Sequence, residues 1–154
     1  MAFSFSQRSL DKLEGVEPEL VEVVKRALEV STIDFGVICG LRTIEEQEAL
    51  VAKGASQTMK SKHLEGRAVD LMAYIDGRGC WELNVYDEIA DAMADAAVQL
   101  DVGIRWGAAW TVPDLRTWQG SAEEAMNSYI DTRRNEGRRP FIDAPHFELI
   151  NDGD

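Results

Sequence analysis

Residues 61–70 read Ser-Lys-His-Leu-Glu-Gly-Arg-Ala-Val-Asp and contain His63, one of two histidines in the chain. Their last residue, Asp70, stands inside the run 68–74, which is too apolar on both faces for a half-exposed strand. An unpaired buried charge is prohibitively costly. We therefore expect the Asp70 carboxylate to be paired or bound to a metal ion.

The composition is that of an ordinary globular protein, with 154 residues, 45% hydrophobic and 29% charged. We expect residues 1–154 to form one domain and to act as a monomer. A net charge of −12 disfavours nucleic acid and anionic lipid as partners. The N-terminus lacks a secretion signal, and no apolar run approaches the ~20 residues of a membrane helix, so we expect synthesis as a soluble cytoplasmic protein without a membrane partner.

Hydrophobic periodicity and capping residues predict alternating helices and strands around residues 61–70. The predicted helices are 18–31, 43–53, 86–100 and 121–135, and the predicted strands are 34–40, 68–74, a short one within 101–110, and one near the end of 141–150. Arg42 falls at a corner between strand and helix, a common place for a functional side chain. Cys39 and Cys80 have apolar neighbours, so we expect free structural thiols instead of a disulfide.

Two imidazoles and a carboxylate, those of His63, His146 and Asp70, suit a catalytic zinc, which takes three protein ligands and keeps a position for water. The spacing alone is only suggestive. From spacing alone, two hydrogen-bonded core histidines and an exposed or salt-bridged aspartate are a slightly better explanation.

A metal-assisted hydrolase also needs a base that moves the proton of the attacking water. Asp143 lies three residues before His146, across a proline that restricts the turn. Glu148 shares a strand face with His146, which makes it a second choice for the base or a partner that orients the imidazole.

The quoted stretch resembles the Ser-x-His-x-x-Gly-x-Ala-x-Asp signature of the zinc D-alanyl-D-alanine peptidases, a superfamily that includes Hedgehog-like domains. Residues 143–146, Asp-Ala-Pro-His, match the place of that family's Glu-x-x-His motif. The resemblance is closest to single-domain phage endolysins that act as L-alanyl-D-glutamate peptidases. They too have Asp at this place, and they have counterparts of residues 40–43 and 105–110.

The resemblance implies an α+β fold in which helices pack on a small antiparallel sheet. It implies that zinc is bound by His63, Asp70 and His146. It further implies that Asp143 is the catalytic base and that Arg42 holds the scissile carbonyl as negative charge develops. Ser61 corresponds to a serine that lines the substrate site, and Trp106 and Trp110 fall in the family-like segment and are candidates for a site wall.

The implied activity is hydrolysis of the peptidoglycan stem peptide between L-alanine and D-glutamate during phage lysis. Such an enzyme collects in the host cytoplasm without a signal peptide and reaches the wall once the membrane is permeabilised. The alternatives are a D-alanyl-D-alanine carboxypeptidase of the same fold and a non-catalytic module that binds zinc or cell wall.

Overall fold

The computed structural model describes residues 3–56 and 58–150, and its core is one antiparallel sheet covered by helices. The helices are α1 (Gln7–Lys12), α2 (Pro18–Val30), α3 (Ile44–Ala52), α4 (Leu83–Leu100) and α5 (Ala122–Asn135); the strands are β1 (Asp34–Cys39), β2 (Ala68–Ile75), β3 (Arg78–Cys80), β4 (Ile104–Trp106) and β5 (His146–Leu149). Short 3₁₀ turns span Lys62–Glu65 and Leu115–Thr117.

The sheet order is β1-β2-β5-β4, and every pairing is antiparallel. The short β3 pairs with the far end of β2 through the hairpin that follows Ile75. β2 is therefore central, bonded to β1 on one edge and to β5 and β3 on the other. Its central place explains why the run 68–74 is apolar on both faces.

The helices α2, α4 and α5 pack side by side and bury their apolar stripes against the sheet and each other. Burying one such aliphatic side chain contributes about 1.5–3 kcal/mol. The fully buried side chains of α2 and α4 are Leu20, Val23, Val24, Ala27, Ile89, Ala90, Met93, Ala96 and Ala97. None of the helices in residues 3–56 and 58–150 combines the length and apolarity needed to cross a membrane.

Capping residues set the helix boundaries close to where the sequence predicts them. Thr43 and Glu46 form a reciprocal capping box at the start of α3, and Ser121 and Glu124 form another at α5. Helix α4 starts at Leu83, three residues earlier than predicted. Helix α1 and strand β3 were not predicted, because both are too short to show a periodic pattern.

Candidate active site

Three strands bring the candidate ligands Asp70 and His146 and the thiol of Cys39 into one row across the sheet. Asp70 on β2 lies opposite Cys39 on β1 and opposite His146 on β5. A register irregularity between Val37 and Cys39 adjusts the end of β1. Residues far apart in sequence thus meet at one end of the sheet.

The third candidate ligand, His63, is brought to this row by the 3₁₀ turn Lys62–Glu65. The hydroxyl of Ser61 caps the turn by accepting the His63 backbone N–H at 3.2 Å. Gly66 ends the turn with φ +69°, and a Cβ there would lie 2.3 Å from the Gly15 carbonyl oxygen. Glycine is therefore required at the exit for two independent reasons.

In each histidine, one ring nitrogen faces Asp70 and the other bonds to a different acceptor. His63 Nδ1 lies 2.9 Å from the Gly40 carbonyl oxygen and donates to it, while Nε2 lies 3.3 Å from Asp70 Oδ1. His146 Nε2 donates to Glu148 Oε1 at 2.8 Å, while Nδ1 lies 3.2 Å from the same Asp70 oxygen. One nitrogen of each ring thus points to one common carboxylate oxygen.

By its chemistry, this donor set suits a zinc ion. Zinc accepts two imidazole nitrogens and one carboxylate, and its histidine ligands typically donate their other ring N–H to a carbonyl or carboxylate. Gly40 and Glu148 are such acceptors here. Cys39 Sγ lies 3.7 Å from His63 Nδ1, and one ligand atom each of Cys39, His63 and Asp70 lie within 4.8 Å of one another, so the thiol borders the same cluster.

The cluster favours the ionised forms of Asp70, His63 and His146. Burial works against ionisation of all three groups, but the hydrogen bonds and charges among them prevail. They hold the pKa of Asp70 well below its usual range, and they raise the pKa of His63 to about 10 and that of His146 to about 9. Glu148 also has a lowered pKa, because its bonds to His146 and Lys62 outweigh burial.

Asp143 lies beside the cluster. One of its carboxylate oxygens lies within 4.8 Å of donor atoms of both Asp70 and His146. Burial and the nearby Asp70 carboxylate raise the pKa of Asp143. A carboxyl group with a raised pKa is a suitable proton acceptor at this place.

Gly107, which follows β4, holds the turn that carries Asp143 and His146. Its N–H donates to the His146 carbonyl oxygen and its carbonyl accepts the Asp143 N–H, each at 2.8 Å. A Cβ at Gly107 would lie 2.2 Å from the Asp143 carbonyl oxygen. This close approach sets the position of the turn relative to β4.

Arg42 reaches the cluster from the corner between β1 and α3. Its guanidinium donates to Gln47 Oε1 at 2.7 Å and to Cys39 Sγ at 3.3 Å, and lies 3.6 Å from Asp70 Oδ2. The Arg42 backbone N–H donates to the His63 carbonyl oxygen at 2.9 Å. Both ends of the residue are thus fixed next to the histidine cluster.

The cluster opens into a cavity of about 650 Å³. Its lining includes Ala55, Ser56, Thr58, Lys60, Ser61 and Lys62, together with the half-exposed ring of Phe141. Among the predicted site residues, the cavity lining includes Arg42, Ser61, His63, Asp70, Asp143 and His146. A peptide chain could enter along these walls and reach the cluster.

The two tryptophans are placed differently from the site wall that the sequence suggests. Trp106 is fully buried, donates to the Ala144 carbonyl oxygen at 2.7 Å and stacks on Phe147, so it supports the Asp143–His146 turn from the core. The prediction of a substrate contact for Trp106 is therefore corrected. Trp110 packs its ring 5.7 Å from the His146 ring and is not part of the cavity lining.

Sequence reasoning missed Gln47, Lys62 and Gly107. Lys62 lies 3.1 Å from Glu148 Oε2 and donates to the Leu149 carbonyl oxygen at 2.6 Å. Its place next to His63 in the sequence is only a weak indication that Lys62 belongs to the site. Gln47 looks like an ordinary helix residue, and Gly107 lies in the family-like segment 105–110 but carries no pattern that marks its contact with the Asp143–His146 turn. Only the tertiary structure shows their contacts.

The fold defines the class of protein first. The structure is similar to that of the vancomycin-resistance D,D-dipeptidase VanXYg, solved with a D-Ala-D-Ala phosphinate analogue, with a TM-score of 0.52 and 17% identity. The match covers 90% of this chain and 51% of that one. At this identity the likeness shows a common fold, the D-Ala-D-Ala dipeptidase-like α+β fold, and confirms the predicted fold class.

Sequence comparison defines the family. The family model for phage L-alanyl-D-glutamate peptidase matches residues 1–150, and the chain belongs to that family. The L-alanyl-D-glutamate peptidase of Escherichia phage T5 is 37% identical over 154 residues, covering 97% of this chain and all of the relative. The L-Ala D-Glu endopeptidase ChiX of Serratia marcescens is 33% identical with a TM-score of 0.71, covering 95% of this chain and 90% of that one. The family resemblance and the expectation of a peptidase are confirmed.

Proposed function

We propose that this chain is a zinc-dependent endopeptidase that hydrolyses the bond between L-alanine and D-glutamate in the peptidoglycan stem peptide. The observation that carries the proposal is the convergence of His63 Nε2 and His146 Nδ1 on Asp70 Oδ1, at 3.3 and 3.2 Å, with Asp143 alongside. The bond follows from the two relatives of more than 30% identity, whose names specify it.

His63, Asp70 and His146 would hold the metal ion. A bound zinc ion polarises a peptide carbonyl and lowers the pKa of a water molecule towards ~7. Gly40 and Glu148 keep the two imidazoles oriented by accepting their outer N–H groups. These bonds to Gly40 and Glu148 also fix the tautomer of each ring. His63 Nε2 and His146 Nδ1 are therefore the nitrogens that would bind the metal ion.

Asp143 accepts the proton of the attacking water and transfers it to the leaving amine of D-glutamate. Its raised pKa brings it closer to neutrality, where such a proton shuttle works best. Glu148 is a weaker candidate for this role, because both of its oxygens are engaged, one by His146 and the other by Lys62. Glu148 acts instead through the orientation of His146.

Arg42 donates to the scissile carbonyl oxygen as negative charge develops on it. A donor that is already held in place stabilises such charge without reorganisation. Ser61 lines the cavity in which the substrate would bind. We further propose that the chain acts as a monomer with a single catalytic domain.

The decisive experiment is digestion of purified peptidoglycan, with and without a chelator, followed by identification of the new termini by mass spectrometry. We expect new L-alanine carboxyl termini and D-glutamate amino termini, abolished by the chelator and restored by zinc. Release of free D-alanine with the L-alanyl bond intact would instead identify a carboxypeptidase. Bound zinc without any cleavage would identify a binding module.

The cellular setting follows from this activity and from the phage relative. The enzyme collects in the host cytoplasm and acts on the wall once the membrane has been permeabilised. Addition of the protein to permeabilised cells should lower their turbidity, whereas intact cells should be unaffected.

A further inference from the structure

Gln47 is a fully buried amide at the centre of a hydrogen-bond hub beside the active site. It lies on α3, a helix that is otherwise exposed or half-buried, and its own exposure is 0%. A buried amide costs free energy unless its polar atoms are bonded. A buried polar residue on an otherwise exposed helix therefore requires a reason.

The amide oxygen of Gln47 holds Arg42. It accepts the Arg42 Nη1–H at 2.7 Å, while the other guanidinium nitrogen, Nη2, faces Cys39 Sγ at 3.3 Å and Asp70 Oδ2 at 3.6 Å. The carboxylate of Asp70 attracts the guanidinium towards the metal-ligand cluster. Gln47 restrains it from the opposite side and so fixes how far the guanidinium extends towards that cluster.

The amide nitrogen of Gln47 holds the cavity wall. It donates to Ser56 Oγ at 2.9 Å and to the Thr58 carbonyl oxygen at 2.5 Å. Ser56 and Thr58 both line the cavity, in the same segment as Ser61. One side chain thus connects the arginine on one side of the cavity with the loop that bounds it.

We propose that Gln47 is a positioning residue: it sets the orientation of Arg42 towards the scissile carbonyl and fixes Ser56 and Thr58, which line the cavity where the substrate binds. This inference rests on the proposed function, in which Arg42 contacts the reacting carbonyl. An apolar side chain of similar length would fill the same volume. The amide is needed because one group must accept from a guanidinium and donate to a carbonyl.

Substitutions can separate the bond that Gln47 makes to Arg42 from its bonds to Ser56 and Thr58. Gln47→Met keeps the length and removes both sets of bonds. Gln47→Glu keeps an acceptor for Arg42, but it places a carboxylate against the Thr58 carbonyl oxygen. Gln99→Met is the matched control, because Gln99 accepts from Arg26 at 2.7 Å on the exposed surface.

The measurements are kcat and KM on a purified stem peptide, together with zinc content and melting temperature. We expect Gln47→Met to lower kcat about tenfold or more with zinc retained, since small displacements of a catalytic group have large effects. Gln47→Glu should keep kcat within about threefold, because a carboxylate still accepts from Arg42. It should raise KM about fivefold or more, because a carboxylate cannot donate to the Thr58 carbonyl oxygen and the cavity wall is no longer fixed. The control should match the wild type.

A double substitution tests whether Gln47 acts through Arg42. In an Arg42→Ala background, Gln47→Met should cause no further loss of kcat, whereas a merely structural role would cost the same factor in both backgrounds. Equal factors would overturn the inference, as would wild-type kcat and KM in the zinc-loaded Gln47→Met protein. If Gln47→Met does not fold, wild-type kcat and KM in both Gln47→Glu and Ser56→Ala overturn it. Failure of the proposed function would appear separately, as no cleavage by the wild type itself.

Discussion

Glu148 Oε1 lies 2.8 Å from Nε2 of His146, two residues earlier on the same strand, and this contact turns His146 Nδ1 towards Asp70. Residues i and i+2 of a strand share a face, so β5 can supply both an inner donor and its outer partner. Lys62 holds the second oxygen of Glu148 at 3.1 Å and completes the arrangement.

Replacing Glu148 should weaken metal binding without removing the proton acceptor. For Glu148→Gln we expect about a 10- to 100-fold loss of zinc affinity, because the amide orients the imidazole less strongly than a carboxylate does. Turnover should stay near that of the wild type once zinc is saturating. Competition with a chelating dye measures the affinity, and Glu45→Gln on the exposed side of α3 is the control. A large loss of kcat at saturating zinc would assign proton transfer to Glu148.

Asp143→Asn should give the opposite result. Zinc affinity should stay close to that of the wild type, whereas kcat should fall by about 10²- to 10⁴-fold, since an amide cannot accept the proton of the attacking water. Asp131→Asn, an exposed change on α5, removes the same charge away from the site. The assignment fails if a zinc-loaded Asp143→Asn protein cleaves stem peptide at the wild-type rate.

Gly107→Ala should damage the site without changing any polar group. The added Cβ would meet the Asp143 carbonyl oxygen at 2.2 Å and the His146 Cβ at 3.0 Å, so the turn must move away from β4. We expect a loss of about 1–3 kcal/mol in the free energy of unfolding together with a fall in activity.

Gly54→Ala is a control that separates loss of stability from loss of activity. Gly54 has φ +76° with nothing within 4 Å of an added Cβ, so the substitution carries only the cost of the left-handed backbone, roughly 1 kcal/mol. This variant should lose stability and keep its activity at a temperature where it is folded. If both variants lose activity in proportion to stability, Gly107 has no specific role in placing the turn.

The sequence predicts those parts of the site that local patterns encode. The capping box at Thr43 marks the helix start next to Arg42, and the apolar run 68–74 marks the buried strand that carries Asp70. The register that sets Asp70 opposite both Cys39 and His146 depends on pairing between distant strands, which no local pattern contains. The burial of Trp106 could not be predicted either, because membership of a family-like segment does not reveal which face of β4 is buried.

Asp87 is a buried carboxylate outside the active site, and it should make stability depend on pH. Burial and the nearby carboxylates of Glu123, Asp91 and Glu88 raise the pKa of Asp87 from 3.8 to about 6. The folded state therefore holds this proton more tightly than the unfolded state does. The corresponding stabilisation is present below about pH 4 and is lost as the pH rises through about 6.

Asp87→Asn should remove this loss of stability at higher pH. We expect the variant to be more stable than the wild type at pH 7.5 by about 1 kcal/mol, a figure reduced for screening by solvent, and to show no gain below pH 4. Urea denaturation at both pH values measures the difference. Glu22→Gln, an equal charge change on the exposed face of α2, should leave the pH dependence of stability as it is in the wild type. A gain of equal size at both pH values would show that the effect does not come from ionisation of Asp87.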